Sequence, residues 1–360
     1  MKKRVLALLM VATMAMSSLV ACGNKTETPA ETPAASGAPE TEAPAEPAKT
    51  VKIGMVTDVG GVHDGSFNQS SWEGLQRAQK ELGIEAKYLE SATDADYSPN
   101  IETFVDEGYD LIICVGYMLA DATRKAAEAY PDQKFAIIDD SSNADLPNVT
   151  CLMFEQAQAS YLVGVVAGMA TQTNNVGFVL GMASETMNQF GYGYLAGVLD
   201  TNPDCKIQQV NANSFGDTAM GKSTATQMVT NGADVIFHAA GGTGIGVIEG
   251  CKESKIWAIG VDSDQSVLAP ETILTSAMKR VDNACFDIAK ACVEGNVESG
   301  VKTYDLASAG VDVAPTTDNL TDEIKVAVED AKAKIIAGEI VVPTTQADFE
   351  AKYGDAYELD

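Results

Sequence analysis

The chain has two histidines and two tryptophans in 360 residues, and 24 basic residues against 51 acidic ones. Each shortage excludes something. His63 and His238 are far apart and lack metal-ligand spacing or a serine elbow, which leaves hydrolytic or zinc chemistry with little support. A formal charge of −27 argues against nucleic acid or anionic lipid headgroups as partners and disfavours a highly charged anionic ligand. The seven cysteines form no CxxC pair. Cys114, inside Leu111-Ile-Ile-Cys-Val, reads as a small core hydrophobe. Cys285 and Cys292 share a face of one predicted helix but stand two turns apart, too far to bond. Free core thiols are therefore expected. Long hydrophobic runs are scarce too: the one from Val5 to Val20 is too short to span a bilayer comfortably.

That run belongs to a leader. Lys2, Lys3 and Arg4 precede it, and Leu19-Val20-Ala21-Cys22 follows it, a site that resembles the bacterial lipoprotein signal. The resemblance implies removal of residues 1–21 and a diacylglyceryl group on the Cys22 thiol, whose acyl chains would anchor the protein to the outer face of the cytoplasmic membrane. Residues 22–50 then form a tether. From Gly23 to Lys49 there is no aromatic residue and no aliphatic one larger than Ala, so the segment cannot bury enough apolar surface to offset its ordering entropy. Its prolines stiffen it into a spacer of at most about 80 Å, at ~3.1 Å per residue. Loss of the three leader cations leaves 21 basic residues against 51 acidic, a net of −30.

Beyond the tether the chain repeats itself. Gly54 and Gly177, Phe67 and Phe190, and Gly74 and Gly197 are each separated by 123 positions. Gly108-Tyr-Asp-Leu-Ile-Ile matches Gly232-Ala-Asp-Val-Ile-Phe at 124. Phe135-Ala136-Ile137 followed by Asp140 matches Trp257-Ala258-Ile259 followed by Asp262 at 122. Two copies of one α/β unit facing each other make a clamp for a small molecule. The apolar runs predict strands near 51–57, 85–90, 111–115, 134–138 and 149–153, then near 176–180, 206–211, 235–238, 257–261 and 273–277. Helices are expected at about 68–82, 99–107, 119–130 and 156–171, then 188–200, 218–231, 245–254, 282–294 and Thr321 to Ala337, with an extended segment over 301–313. Strands alternating with helices mean an α/β fold with a parallel sheet in each lobe, covered by helices on both faces. Lobe one should comprise 51–153 plus 281–310 and lobe two 154–280 plus 311–360, joined by multiple crossovers that restrict the hinge. Ligands of such sheets sit beyond the carboxyl ends of the strands, here the loops after Val56, Val115, Asn211, Ala239 and Val261 and the turn after Thr275.

The first of these loops runs Thr57-Asp58-Val-Gly-Gly-Val-His-Asp64-Gly65-Ser66-Phe67-Asn68. It reads either as a βα loop capped by Asp64 or Ser66 or as a binding loop. The loop resembles that of the basic membrane protein family of substrate-binding lipoproteins, which includes purine nucleoside receptors of ABC importers. The likeness continues through Gly116-Tyr-Met-Leu-Ala-Asp121, Phe154-Glu-Gln-Ala-Gln-Ala-Ser-Tyr161, Ser214-Phe215-Gly-Asp217, Gly241-Gly242-Thr-Gly244, Gly260-Val-Asp262 and Met278-Lys279-Arg-Val, and covers about 51–345.

The resemblance implies a two-lobed, periplasmic-binding-protein-like fold of type I. It implies a monomer that binds inosine, guanosine or adenosine, passes it to permease subunits, and needs no cofactor or metal. Phe67 and Phe215 would sandwich the base, while Asn68 and Asp121 would bond its edge, with Asp58 as a further contact. Asp262 would accept from the sugar hydroxyls, Lys279 would reach the other end of the sugar, and Gly242 would present backbone groups. The chemistry suits a nucleoside, since a base offers π-faces and a ribose diol matches a carboxylate in bidentate fashion. A sugar or furanose-signal receptor of the same fold is the alternative among binding proteins.

An enzyme remains to be weighed. Gly216-Asp-Thr-Ala-Met-Gly221-Lys222-Ser223 fits the phosphate-binding pattern GxxxxGK[ST] between a strand and a helix. However, export removes the chain from the ATP pool, and Asp217 would put negative charge inside the cradle. The expected reading is a helix starting near Asp217, and no catalysis. The glycines at 241, 242, 244 and 246 suggest a dinucleotide fingerprint, but Glu249 stands where the third glycine belongs. A tight strand-to-helix turn offering N–H groups is expected instead.

Overall fold

A computed structural model describes residues 50–315 and 318–359; the leader, Cys22 and nearly all of the tether lie outside the described residues. The first half runs β1 (Lys52–Val56), α1 (Phe67–Leu82), β2 (Glu85–Leu89), α2 (Tyr97–Asp106), β3 (Leu111–Val115), α3 (Ala120–Ala129), β4 (Lys134–Ile138), β5 (Val149–Phe154) and α4 (Gln156–Ala170). The second half repeats it with β6 (Asn175–Leu180), α5 (Glu185–Thr201), β7 (Lys206–Asn211), α6 (Thr218–Thr230), β8 (Val235–Ala239), α7 (Gly241–Ser254), β9 (Trp257–Asp262), β10 (Ile273–Lys279) and α8 (Val281–Val293). The chain closes with β11 (Gly300–Tyr304), β12 (Val311–Val313), α9 (Asp322–Ile336) and α10 (Gln346–Tyr353).

Two six-stranded sheets result, ordered β11-β5-β4-β3-β1-β2 and β12-β10-β9-β8-β6-β7. Every pairing is parallel except β10 with β12, an antiparallel edge that qualifies the expectation of purely parallel sheets. The central strands are buried on both faces, as their unbroken apolar runs require.

The repeated glycines have a packing role. A Cβ on Gly54 would stand 2.5 Å from the Phe104 ring, and one on Gly177 would stand 2.7 Å from Met228 Sδ. In both sheets the bare position admits a helix side chain. Likewise a Cβ on Gly74 would meet the Asp282 carbonyl at 2.2 Å, and one on Gly197 the Tyr161 carbonyl at 2.1 Å. Thus α1 packs closely on α8, and α5 on α4. The last helix of each half therefore lies against the first helix of the other half. With β11 and β12 this gives three crossings between the sheets. α4 has twelve buried residues of fifteen and is apolar all round, as a helix covered on every side must be.

Three differences from the sequence reading have local causes. α7 starts at Gly241, four residues earlier than expected, so its glycines lie within a helix. The extended segment over 301–313 is two strands separated by a turn. α10 was not foreseen: Phe349 is its one buried residue, too little to make a periodic signal, and its place is set by packing on α5.

Candidate functional site

The carboxyl ends of both sheets face one another across a cleft, and the loop after β1 forms much of its first side. Asp64 organises that loop. Its Oδ1 accepts from the backbone N–H of Ser66 (2.9 Å) and Gln69 (3.0 Å). Its Oδ2 accepts from Asn68 N (2.8 Å) and Asn68 Nδ2 (3.0 Å). Asp64, not Ser66, thus satisfies the open N–H groups of α1. Asn68 Nδ2 also donates to Asp58 Oδ1 (2.8 Å), and Asn68 Oδ1 accepts from Asp58 N (3.2 Å). The Asn68 amide is therefore committed within the loop, and it orients Asp58. Burial is the main cause lifting the Asp58 carboxyl to about 6.

Aromatic rings form the walls. Phe67, half-buried at the start of α1, lies beneath Gly116, whose added Cβ would be 3.4 Å from the ring. Phe215 comes from the loop after β7 and fits against Gly181, where a Cβ would stand 2.4 Å from Cε1. Gly181 is the repeat counterpart of Asp58 (181 − 58 = 123), so one sheet presents a carboxylate where the other leaves room for a ring. Phe190, the repeat counterpart of Phe67, also lines the space, with Tyr117 and Met187 beside it. The unfilled volume between these walls, its mouth included, is about 510 Å³.

Charge closes the far end. Lys279, at the end of β10 and 2 % exposed, pairs with Asp139 from the opposite sheet. Its ammonium lies 5.2 Å from the ring centroids of Phe67 and Phe154 and 5.4 Å from that of Phe190. Asp262 ends β9 and accepts a hydrogen bond from Ser66 Oγ across the cleft. Burial raises its carboxyl to about 7, against the pull of Lys279 and Ser66. Gln265 Nε2 donates to the Gly65 carbonyl (3.0 Å), a third contact between the two sides.

Of the eight expected ligand residues, Asp58, Phe67, Asn68, Phe215, Asp262 and Lys279 line this one cavity. Asp121 does not: it stands exposed in the first turn of α3. A short 3₁₀ turn over Tyr117–Leu119, entered through Gly116 at φ 103°, puts Tyr117 at the cavity and carries Asp121 past it. Gly242 is displaced in a smaller way, since Gly241 provides the lining and Gly242 lies just behind. Asn68 lines the cavity, but the expected bond to a base edge would have to displace its present partners.

Sequence reading missed Asp139 and Phe190 as site residues. Both were legible in the repeat. Phe190 matches Phe67, and Asp139 matches Asp262 at the same 123 spacing (262 − 139 = 123) rather than Asp140 at 122. Asp139 and Asp262 are also both left-handed, with φ of 66° and 64°.

The phosphate-loop pattern dissolves into packing. Asp217 caps α6 by accepting from Met220 N (2.9 Å), and Lys222 pairs with Glu253 at 2.7 Å. A Cβ on Gly221 would stand 1.9 Å from the Thr243 carbonyl, so that glycine lets α6 pack against α7. His238 is wholly buried with Nε2 facing Gln265 Oε1 (3.1 Å), and burial lowers it to about 4, which keeps it neutral.

This two-sided cleft is paired with a sequence match. Residues 51–346 match the family described as ABC transporter substrate-binding protein PnrA-like. The chain belongs to this Bmp family. It is an ABC transporter substrate-binding protein, a class of binding proteins and not of enzymes. Over 366 residues it is 37 % identical to the ABC transporter nucleoside-binding protein BmpA of Lactococcus lactis, covering 96 % of this chain and 100 % of the relative. Over 317 residues it is 41 % identical to the CD4+ T-cell-stimulating antigen of Listeria monocytogenes, with 82 % and 88 % covered. A solved solute-binding protein of an ABC transporter system from Aeropyrum pernix superposes with a TM-score of 0.77 at 28 % identity, covering 85 % of this chain and 98 % of that one. The substrate-binding protein thus has the two-lobed α/β fold that its repeat predicted.

Proposed function

We propose that this substrate-binding protein captures purine nucleosides in the cleft and delivers them to the permease of an importer. The observation that carries the reading is that half-buried rings from opposite lobes, Phe67 and Phe215, line one cavity together with the buried carboxylates of Asp58 and Asp262. A base stacks on the rings, Asp58 accepts from its edge, and Asp262 takes the ribose diol. The relative named for nucleoside binding supports the same ligand class. Closure moves a lobe of 51–153 plus 281–310 against one of 154–280 plus 311–360, and ligand favours the closed state because both lobes touch it. Titration calorimetry with inosine, guanosine, adenosine, their free bases and ribose tests the proposal. Nucleosides should bind most tightly; ribose binding as strongly as any of them would replace this reading with a sugar receptor.

In this proposal the protein works as a monomer held to the outer face of the cytoplasmic membrane by lipid on Cys22. The support is the Leu19-Val20-Ala21-Cys22 site followed by a proline-rich tether. Cys22→Ser should move the protein from the membrane fraction to the soluble one. Retention of that variant on membranes washed at high salt would indicate a different anchor.

A further inference from the structure

Gln265 is 1 % exposed and lies outside the cavity wall, but it joins the strand end that presents Asp262 to the binding loop of the opposite sheet. It sits in the short turn after β9, over Gly260, where a Cβ would stand 2.6 Å from Gln265 Oε1. Its Oε1 faces two partners, Val261 N (3.0 Å) and His238 Nε2 (3.1 Å). Its Nε2 donates across the cleft to the Gly65 carbonyl (3.0 Å). These partners fix the orientation of the amide, since turning it over would set N–H against N–H at Val261 and oxygen against oxygen at Gly65. An amide oxygen cannot donate, so His238 carries its proton on Nε2. The Nδ1 edge packs on Gly244, where a Cβ would stand 2.0 Å away. The hydrogen bonds therefore run as one chain from the core of the second sheet through Gln265 into the loop after β1.

Both ends of this chain reach the site. Val261 precedes Asp262, which is held at φ 64° in a tight turn closed by Ser263 N on the Val261 carbonyl (2.8 Å). A residue other than glycine persists at positive φ only where its surroundings hold it, and Gln265 holds the Val261 side of this turn. At the other end Gly65 precedes Ser66, whose hydroxyl donates to Asp262. Gly65 is also seated by packing, since a Cβ there would meet Ile245 Cδ1 at 3.2 Å.

We propose that Gln265 is a positioning residue and the clasp of the closed form: it holds the turn that presents Asp262 and, with Ile245, seats Gly65 of the opposite lobe, so that it sets how slowly a bound ligand leaves. The inference rests on the nucleoside reading and the closure proposed above. The contacts of Gln265 and Ile245 with Gly65 join loops of different sheets and break when the lobes part. Neither side chain lines the cavity, so both act on the ligand only through the lobes and through Asp262. A contact made after the ligand has entered leaves association unchanged and slows dissociation.

Stopped-flow binding of the tightest purine nucleoside from the calorimetric panel tests this. Gln265→Met keeps the length of the side chain and removes both hydrogen-bonding ends. It should speed dissociation about tenfold while association stays within about twofold, and should narrow the preference for ribo- over 2′-deoxynucleoside by about threefold. Ile245→Ala, on a partly exposed stretch of α7, should speed dissociation about threefold with the ribo-to-deoxy ratio unchanged, because it touches the clasp alone. Nitrogen-15 spectra of the two imidazoles should show His238 with its proton on Nε2. A purely structural role would lower the melting temperature and leave both the dissociation rate and the ribo-to-deoxy ratio in place, and that result would overturn the proposal. So would a proton on His238 Nδ1, a measurement that needs no variant to fold. If no purine nucleoside binds, the nucleoside reading falls, and small-angle scattering of ligand-free protein decides the clasp by itself. Gln265→Met should then be more open than the wild type, and identical profiles would overturn the clasp.

Discussion

Phe67→Ala and Phe215→Ala should each weaken nucleoside binding by about 1–3 kcal/mol, roughly tenfold or more, with little change in melting temperature. The magnitude is that of one base–aromatic stacking face. The separation of binding from stability follows from where the rings lie. Each is half-buried at the cleft and outside the sheet cores, so truncation removes a wall of the site and leaves the strands packed. Phe190→Ala makes the contrast. That ring is 3 % exposed and belongs to the main core, so its loss should lower stability by about 3–5 kcal/mol as well as affinity. Calorimetry and thermal melts on the same three variants give both readings. Unchanged affinity in both Phe67→Ala and Phe215→Ala would refute the stacking geometry.

Asp262→Asn should move binding and stability in opposite directions. The unfolded carboxyl titrates at 3.8 and the folded one at about 7. Between these values the folded chain holds a proton that the unfolded chain releases. The stabilising contribution is thus complete below about pH 4 and is lost as pH rises through about 7. At neutral pH the buried carboxylate opposes folding, by on the order of 2–4 kcal/mol. The neutral amide should therefore raise the melting temperature of ligand-free protein at pH 8 and flatten its decline between pH 5 and pH 8. Asp58, lifted to about 6, adds a smaller slope of the same sign. Binding runs the other way, because a diol is best held by the ionised carboxylate. Affinity for ribonucleosides should fall as pH drops below about 7, and Asp262→Asn should cost them at least tenfold while 2′-deoxynucleosides lose less. An unaltered ribo-to-deoxy ratio in the variant would mean that Asp262 does not receive the diol.

The sequence alone determined the two-lobed α/β architecture, the positions of most elements and six of the cavity-lining residues. The architecture was legible because strand and helix periods are local and a duplicated unit prints its anchor glycines and Phe67/Phe190 twice at one spacing. The six residues came instead from the resemblance of the strand-end motifs to the basic membrane protein family. Tertiary structure decided the rest. That α4 and α8 each pack on the other half depends on close approach at Gly74 and Gly197, between residues far apart in the chain. The exclusion of Asp121 depends on a single 3₁₀ turn after Gly116, a rotation that residue types do not encode. The glycine-rich segments at 216–221 and 241–246 carry phosphate-loop and dinucleotide patterns, and only the α6–α7 contact reveals them as helix packing. The partner of Lys279 also needed the fold, since Asp139 lies 140 residues away and meets it only where the two sheets face each other. Burial there raises the Asp58 and Asp262 carboxyls, and burial is a property of the cleft and not of any segment that forms it.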